Sequence, residues 1–243
     1  MSNTRVALVT GASSGIGEET ARLLHEAGFT TYAVARRVDR MAALADAGVH
    51  TFAMDVTDDA SMVAGINRIV VDQGRIDVLV NNAGYGSYGA VEDVPIDEAR
   101  RQFEVNVFGL ARLTQLVTPT MREQGAGRII NVSSIAGLHV SVNGPHYVGY
   151  AASKAGLMGL TRELAGTWGR QGIRVNAIAP GFFPSRLTEA VLPKAEASLK
   201  ANCPIPRAGI EGELKGVAVF LASDASNYIT GQVIVVDGGR TIA

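Results

Sequence analysis

Cysteine is nearly absent from this chain. Cys203 stands alone, which excludes an internal disulfide, and with four scattered histidines it leaves no ligand set for a zinc site. No metal is expected. A surplus of one charge is missing too: Lys plus Arg number 22 and Asp plus Glu 23. Without a basic excess to neutralise a phosphate backbone, a dedicated nucleic-acid binder is excluded. Apolar runs stay well short of the ~18 residues that cross a bilayer, so no membrane partner is expected. Met1 to Thr4 is too short for a signal peptide, and the expectation is a cytoplasmic protein. Repeats, linkers and low-complexity stretches are also lacking, so residues 1–243 are expected to form one domain.

What is present is a 47% hydrophobic composition, enough for a large core, and 28 glycines, which point to many tight turns. Apolar runs at 5–10, 30–35, 49–54, 76–80, 128–132, 173–179 and 233–236 read as buried strands. Between them lie segments of helical spacing at 15–27, 40–47, 58–72, 95–122, 147–169 and 211–222. In 95–122 the expected inner stripe is Phe103, Val107, Leu110 and Leu113. Strictly alternating strands and helices predict an α/β fold, a parallel sheet joined by right-handed crossovers. The segment 182–207 carries Pro184, Pro193, Pro204 and Pro206 and reads as a long substrate loop.

Thr10-Gly11-Ala12-Ser13-Ser14-Gly15-Ile16-Gly17 joins the first strand to the first helix. Glycines there let the backbone approach a pyrophosphate, and the helix start offers free N–H groups. The spacing is Gly-x-x-x-Gly-x-Gly rather than the commoner Gly-x-Gly-x-x-Gly. Further motifs follow in order: Asn81-Asn82-Ala83-Gly84, Asn106, Ser133-Ser134, Tyr150-x-x-x-Lys154, Pro180-Gly181 and Asp237-Gly238-Gly239. Together they resemble the short-chain dehydrogenase/reductase family over essentially the whole chain. The resemblance implies a doubly wound, Rossmann-like sheet of seven parallel strands, with the cofactor at their carboxyl ends. Residues up to about 137 look most like steroid- or retinol-type members. From about 147 onward the chain looks more like 3-oxoacyl-carrier-protein reductases and sugar dehydrogenases, as in a natural intermediate or an engineered chimera.

An NAD site needs a carboxylate at the end of the second strand, where this chain has Ala35. Arg36 and Arg37 follow, and two guanidinium groups suit a 2′-phosphate, so NADP(H) is favoured and NAD(H) is the alternative. Asp39 is expected to cap the next helix. Asp55-Val56 resembles the family's adenine contact, with a plain strand-end turn as the competing reading. The resemblance adds Asn82, Ala83 and Gly84 on the adenine side, and Pro180, Gly181 and Ser185 near the carboxamide.

Tyr150 and Lys154 share one helical face. A free tyrosine is a poor base at pH 7, so the expectation is that the Lys154 ammonium, with the oxidised nicotinamide, lowers its pKa. Tyr150 is then the acid/base, with Ser134 holding the substrate oxygen and Ser133 as its fallback. Lys154 is also expected on the nicotinamide ribose. Asn106, polar within an apolar stripe, reads either as a backbone-bonded residue at a helix distortion or, in the family role, as holding a water that links Lys154 to solvent.

Candidate substrate contacts are Tyr85, Tyr88, Leu138, His146, Tyr147, Phe182 and Phe183, with Val140, Val142, Leu187 and Leu192 beside them. Arg186 is the single charge expected near the cofactor end. The set is mainly apolar and aromatic, which favours an apolar ketone or secondary alcohol. The alternatives are a 3-oxoacyl-carrier-protein reductase, a gluconate-type sugar dehydrogenase, or a non-catalytic nucleotide-binding regulator. Self-association into a homodimer or homotetramer is expected from the family and from the two long helices.

Overall fold

The structure is a computed structural model that describes residues 4–140, 146–185, 188–189, 191–210 and 212–242. Seven strands form one parallel sheet: β1 Val6–Thr10, β2 Thr30–Ala35, β3 His50–Ala53, β4 Val78–Asn81, β5 Gly127–Val132, β6 Ile173–Pro180 and β7 Val233–Val236. Their order is β3-β2-β1-β4-β5-β6-β7. Successive side chains of β1 supply both faces. Val6 and Leu8 join one apolar cluster, and Ala7 and Val9 join the other. Both faces need cover, and the helices between the strands provide it. Helices α1 Gly15–Glu26, α2 Ala42–Asp46 and α8 Lys215–Ala222 pack on one side. On the other lie α3 Asp59–Gln73, α5 Leu110–Gln124 and α6 Val148–Trp168. Each fully buried Leu or Ile in these layers contributes about 1.5–3 kcal/mol.

Four expectations need correction. The segment 95–122 is not one regular helix: α4 Ile96–Phe103 passes through a π-helical turn, Glu104–Gly109, into α5. Its buried face carries Gln102, Asn106, Leu110 and Leu113, while Phe103 and Val107 are only partly buried. The short helix expected at 40–47 is a 3-10 turn, Val38–Met41, running into α2. The helix expected from 211 begins at Lys215. The segment 182–207, read as a loop, contains helix α7, Leu192–Asn202. Pro193 sits in its first turn, where a missing N–H costs nothing.

A polar chain crosses the core behind the carboxyl ends of β4 and β5. Asn81 and Asn131 lie opposite each other in the strand register, and Asn81 Nδ2 donates to Asn131 Oδ1 at 2.9 Å. Asn81 Nδ2 also donates to Thr114 Oγ1 on α5 at 3.0 Å, and Asn131 Nδ2 to Thr161 Oγ1 on α6 at 2.9 Å. All four residues are buried. Among the described residues no helix is long and apolar enough to cross a membrane.

Candidate active site

The sheet order reverses between β1 and β4, which opens a crevice at their carboxyl ends. Gly11 leaves β1 there at φ 65°, and a Cβ on it would stand 2.8 Å from Ala83 Cα. A Cβ on Gly17 would strike the Asn82 amide and lie 2.6 Å from Gly11 O. Asn82 fastens the crevice, its Nδ2 donating to Thr10 O at 2.9 Å and to Gly11 O at 3.2 Å. Thr10 Oγ1 in turn accepts from the backbone N–H groups of Asn82 and Ala83, both at 3.0 Å. Ser14 precedes α1 in extended conformation, and its side chain caps nothing. The first-turn N–H groups of α1 are thus left to an incoming anion, and the glycine cradle leaves room for one. These residues fit the pyrophosphate of a dinucleotide.

Arg36 and Arg37 follow the buried Ala35 and are exposed. Asp39 does not cap: Arg37 occupies the N-cap of the 3-10 turn, no side chain caps it, and Asp39 lies within its first turn. Asp55 Oδ1 accepts from Thr57 N at 2.9 Å and from Thr57 Oγ1 at 2.8 Å, the strand-end turn weighed above. Val56 beside it is buried. Across the cleft, a Cβ on Gly15 would come within 3.5 Å of Ser185 Cβ. Gly181 donates to Val236 O at 2.9 Å, which ties the chain after Pro180 to β7. Ser185 is held by Thr188, a residue the sequence reading passed over. Ser185 N donates to Thr188 Oγ1 at 2.9 Å, and the two hydroxyls lie 3.0 Å apart. A second hydroxyl three residues after the first was the available signal.

Ser134, Tyr150, Lys154 and Asn106 come together on the far side of this crevice. The Ser134 hydroxyl favours the ionised form of the Tyr150 phenol, and its Oγ accepts from Ala136 N at 3.1 Å. Ser133, the fallback, is occupied: its Oγ donates to Lys154 O at 2.8 Å. Lys154 Nζ donates to Val132 O at 2.8 Å and lies 5.7 Å from the Tyr150 ring centroid. Gly84 sits between the lysine and the asparagine, 3.3 Å from Lys154 Nζ and 3.1 Å from Asn106 Oδ1 as measured from a Cβ built on it. Asn106 occupies the π-helical turn, so the helix distortion and the backbone bonds both exist. Its Oδ1 accepts from Tyr85 N at 3.0 Å, and its Nδ2 donates to Tyr85 O at 2.9 Å and Ser153 Oγ at 3.0 Å.

The acidities depart from the sequence expectation. In the cofactor-free protein Tyr150 is pushed up to about 12, because burial penalises the phenolate more than the Ser134 hydroxyl favours it. Burial also pulls Lys154 down to about 8, so the ammonium remains charged at pH 7. The lowering expected for Tyr150 is therefore absent from the bare site: desolvation wins where no cationic ring faces the phenol.

The aromatic candidates form a chain leading outward. Tyr147 lies edge-on to Tyr150 and Tyr88 edge-on to Tyr147, each pair 6.2 Å between centroids. Gly89 N donates to His146 O at 2.9 Å, which joins the two loops carrying these rings. Burial raises the Tyr147 phenol, and the Arg240 charge pulls it partly back. Two candidates are turned away. The Tyr85 phenol meets Glu98 and Arg101 on α4. Phe183 is buried in the cluster under α1 and α8, because its ring fills the space beside Gly209. Phe182 and Leu192 are partly buried, whereas Leu138, Val140 and His146 are exposed. Val142, Arg186 and Leu187 lie outside the described residues.

Known proteins share this arrangement over nearly its full length. The family model described as enoyl-(acyl carrier protein) reductase matches residues 11–241. A 3-oxoacyl-[acyl-carrier-protein] reductase of Thermotoga maritima is 38% identical over 244 residues, covering 98% of both chains. A cis-4-hydroxycyclohexanecarboxylate dehydrogenase of Sinomonas cyclohexanicum is 40% identical over 98% of this chain and 96% of its own. The crystal structure of a gluconate 5-dehydrogenase from Burkholderia cenocepacia, in complex with NADP and tartrate, superposes with a TM-score of 0.92. It is 35% identical and covers 98% of this chain and 96% of that one. With the glycine cradle, the Tyr-x-x-x-Lys helix and these relatives in agreement, the chain belongs to the short-chain dehydrogenase/reductase family.

Proposed function

We propose that this protein is an NADP(H)-dependent oxidoreductase that interconverts a carbonyl and a secondary alcohol on a small, mainly apolar substrate, with Tyr150 as the acid/base. The observation that carries the reading is the buried Lys154 ammonium 5.7 Å from the ring centroid of Tyr150, one helical turn away on α6. The cofactor, when bound, supplies or accepts the hydride. Ser134 donates a hydrogen bond to the substrate oxygen and fixes it at the Tyr150 phenol. A phenol near 12 is fully protonated at pH 7, so it is ready to give its proton as a carbonyl is reduced. Lys154 holds its charge beneath the ring and stabilises the tyrosinate left behind. Asn106, clamped by three hydrogen bonds, keeps the backbone next to Lys154 in place for proton return from solvent.

Cofactor choice rests on the missing acid at Ala35 and on Arg36 and Arg37, with NADP in the gluconate 5-dehydrogenase complex as support. The acyl-thioester and sugar-acid relatives make those substrates the second arm of any assay. Self-association is supported by apolar side chains exposed on the long helices, Phe108 in the π-helical turn and Val148 on α6. A cytoplasmic location accords with the composition.

The test is a pair of tyrosine variants assayed with NADPH against ketones, oxoacyl thioesters and sugar acids. Tyr150→Phe keeps fold and NADPH binding and loses roughly 100-fold or more in kcat. Tyr147→Phe changes KM at most. Normal kcat in Tyr150→Phe with none in Tyr147→Phe would overturn the assignment.

A further inference from the structure

Helix α4 buries one side chain, and it is polar. The charged residues of α4 face outward and pair along the helix, Arg100 with Asp97 at 2.8 Å and Arg101 with Glu98 at 2.6 Å. Gln102 turns inward and is fully buried. Its Nε2 donates to Ser87 Oγ at 2.9 Å. Its Oε1 finds no donor among the described residues. That oxygen lies against the start of α6, 2.7 Å from where a Cβ on Gly149 would stand, so a side chain at 149 would push the amide aside.

Four residues further on, Asn106 holds the backbone of the same loop at Tyr85. The segment 85–89 is thus stitched to α4 and the π-helical turn at two points. Its far end meets the residues before α6: Gly89 N donates to His146 O at 2.9 Å, and Gly89 bridges to Tyr147. Tyr88 stands between these fastenings, edge-on to Tyr147, which is edge-on to Tyr150. The Gln102 amide therefore touches both segments that carry the aromatic wall. Ser87 precedes Tyr88, and Gly149 lies between Tyr147 and Tyr150.

Fold stability gives no reason for an amide at this place. A buried acceptor without a partner destabilises the protein, and methionine would fill a similar volume without one. Ser87 is only partly buried, so its hydroxyl would turn to water if the bond were lost. What the bond supplies is direction, which an apolar contact does not. We propose that Gln102 is a positioning residue: by holding Ser87 it sets Tyr88 against Tyr147, and with them the wall that meets the substrate beyond its reacting carbonyl. This rests on the active-site reading above.

The experiment compares wild type with Gln102→Met, Ser87→Ala and the double variant, using NADPH with acetophenone, cyclohexyl methyl ketone and acetone. Gln102→Met raises KM for the two bulky ketones by about 10-fold, the scale of one lost hydrogen bond. For these ketones kcat, and for NADPH Kd, stay within about twofold. Acetone, too small to reach the wall, keeps its KM. Ser87→Ala behaves alike, the double variant is no worse than Gln102→Met, and Ser87→Thr, which keeps the hydroxyl, behaves as wild type. The Tm of Gln102→Met equals or exceeds that of wild type. A second measurement is independent of turnover: hydrogen exchange at the Gly89 amide quickens about 10-fold in Gln102→Met and Ser87→Ala, while the Tyr85 amide, bonded to Asn106, keeps its rate. Unchanged KM in an active Gln102→Met, or unchanged Gly89 exchange, overturns the proposal. A joint fall of Tm, kcat and NADPH binding makes Gln102 a structural residue only and overturns it as well. Should no carbonyl compound turn over while Gly89 exchange still quickens, the oxidoreductase reading fails and the anchoring of the loop by Gln102 stands.

Discussion

Replacing Lys154 by Met tests whether the charge at the centre of the site is held there against folding. The side chain is 4% exposed, and its ammonium donates to Val132 O. Burial lowers its pKa from 10.5 to about 8. At ~1.4 kcal/mol per pKa unit, the charged lysine opposes folding of the cofactor-free protein by roughly 3 kcal/mol at pH 7. The unfolded lysine keeps its proton up to 10.5, whereas the folded one releases it from about 8. Between those values the unfolded chain binds more protons, so stability rises with pH. Tyr150 acts in the opposite sense at higher pH. Raised from 10.0 to about 12, it keeps its proton longer in the folded protein, and stability falls as pH climbs between those values. Urea unfolding of the cofactor-free protein at pH 7 and pH 10 reads the first effect. Wild type gains roughly 2–3 kcal/mol over this interval relative to Lys154→Met. The lost bond to Val132 O, about 1 kcal/mol, offsets the variant equally at both pH values. Parallel pH profiles for the two proteins would refute the reasoning.

Two further outcomes are expected. Replacing Arg36 and Arg37 with Ala weakens NADPH binding by about 1–3 kcal/mol per lost charge-assisted bond and leaves NADH binding nearly unchanged; equilibrium fluorescence titration of both cofactors checks this without any substrate. Light scattering at micromolar protein gives two or four times the 25.4 kDa chain mass, and a monomer would remove the self-association proposal.

The strand–helix alternation and the glycine cradle were legible because their signals are local. A buried parallel strand is an apolar run, and a phosphate-binding turn is a glycine spacing within eight residues. Tyr150 and Lys154 were legible for the same reason, being one helical turn apart. Helix α7 was not, because four prolines between 184 and 206 read as breakers; one of them, Pro193, occupies a first-turn position that tolerates it. The Phe103 and Val107 stripe failed where the π-helical turn shifts the helical phase and brings Gln102 and Asn106 inward. Acidity was the least legible feature. The rise of Tyr150 comes from burial by distant segments, and no spacing in the sequence reports it.

The amide chain from Thr114 through Asn81 and Asn131 to Thr161 acts as an alignment key for the chemistry in front of it. A slip of one residue between β4 and β5 would displace one strand end by about 3.3 Å, more than the length of a hydrogen bond. Ser134 follows β5, and α6 carries Thr161 together with Tyr150 and Lys154. Thr114 lies on α5, directly continuous with the turn that holds Asn106. Any such slip would leave several amide and hydroxyl groups unpaired in an apolar interior, at about 1–3 kcal/mol for each. Misaligned packings of the sheet are thereby penalised at the same four side chains that set the separation of the proposed catalytic groups. A chain that folds to completion has, by that fact, already set β5, α5 and α6 in the one register on which the proposed roles of Ser134, Tyr150 and Asn106 depend.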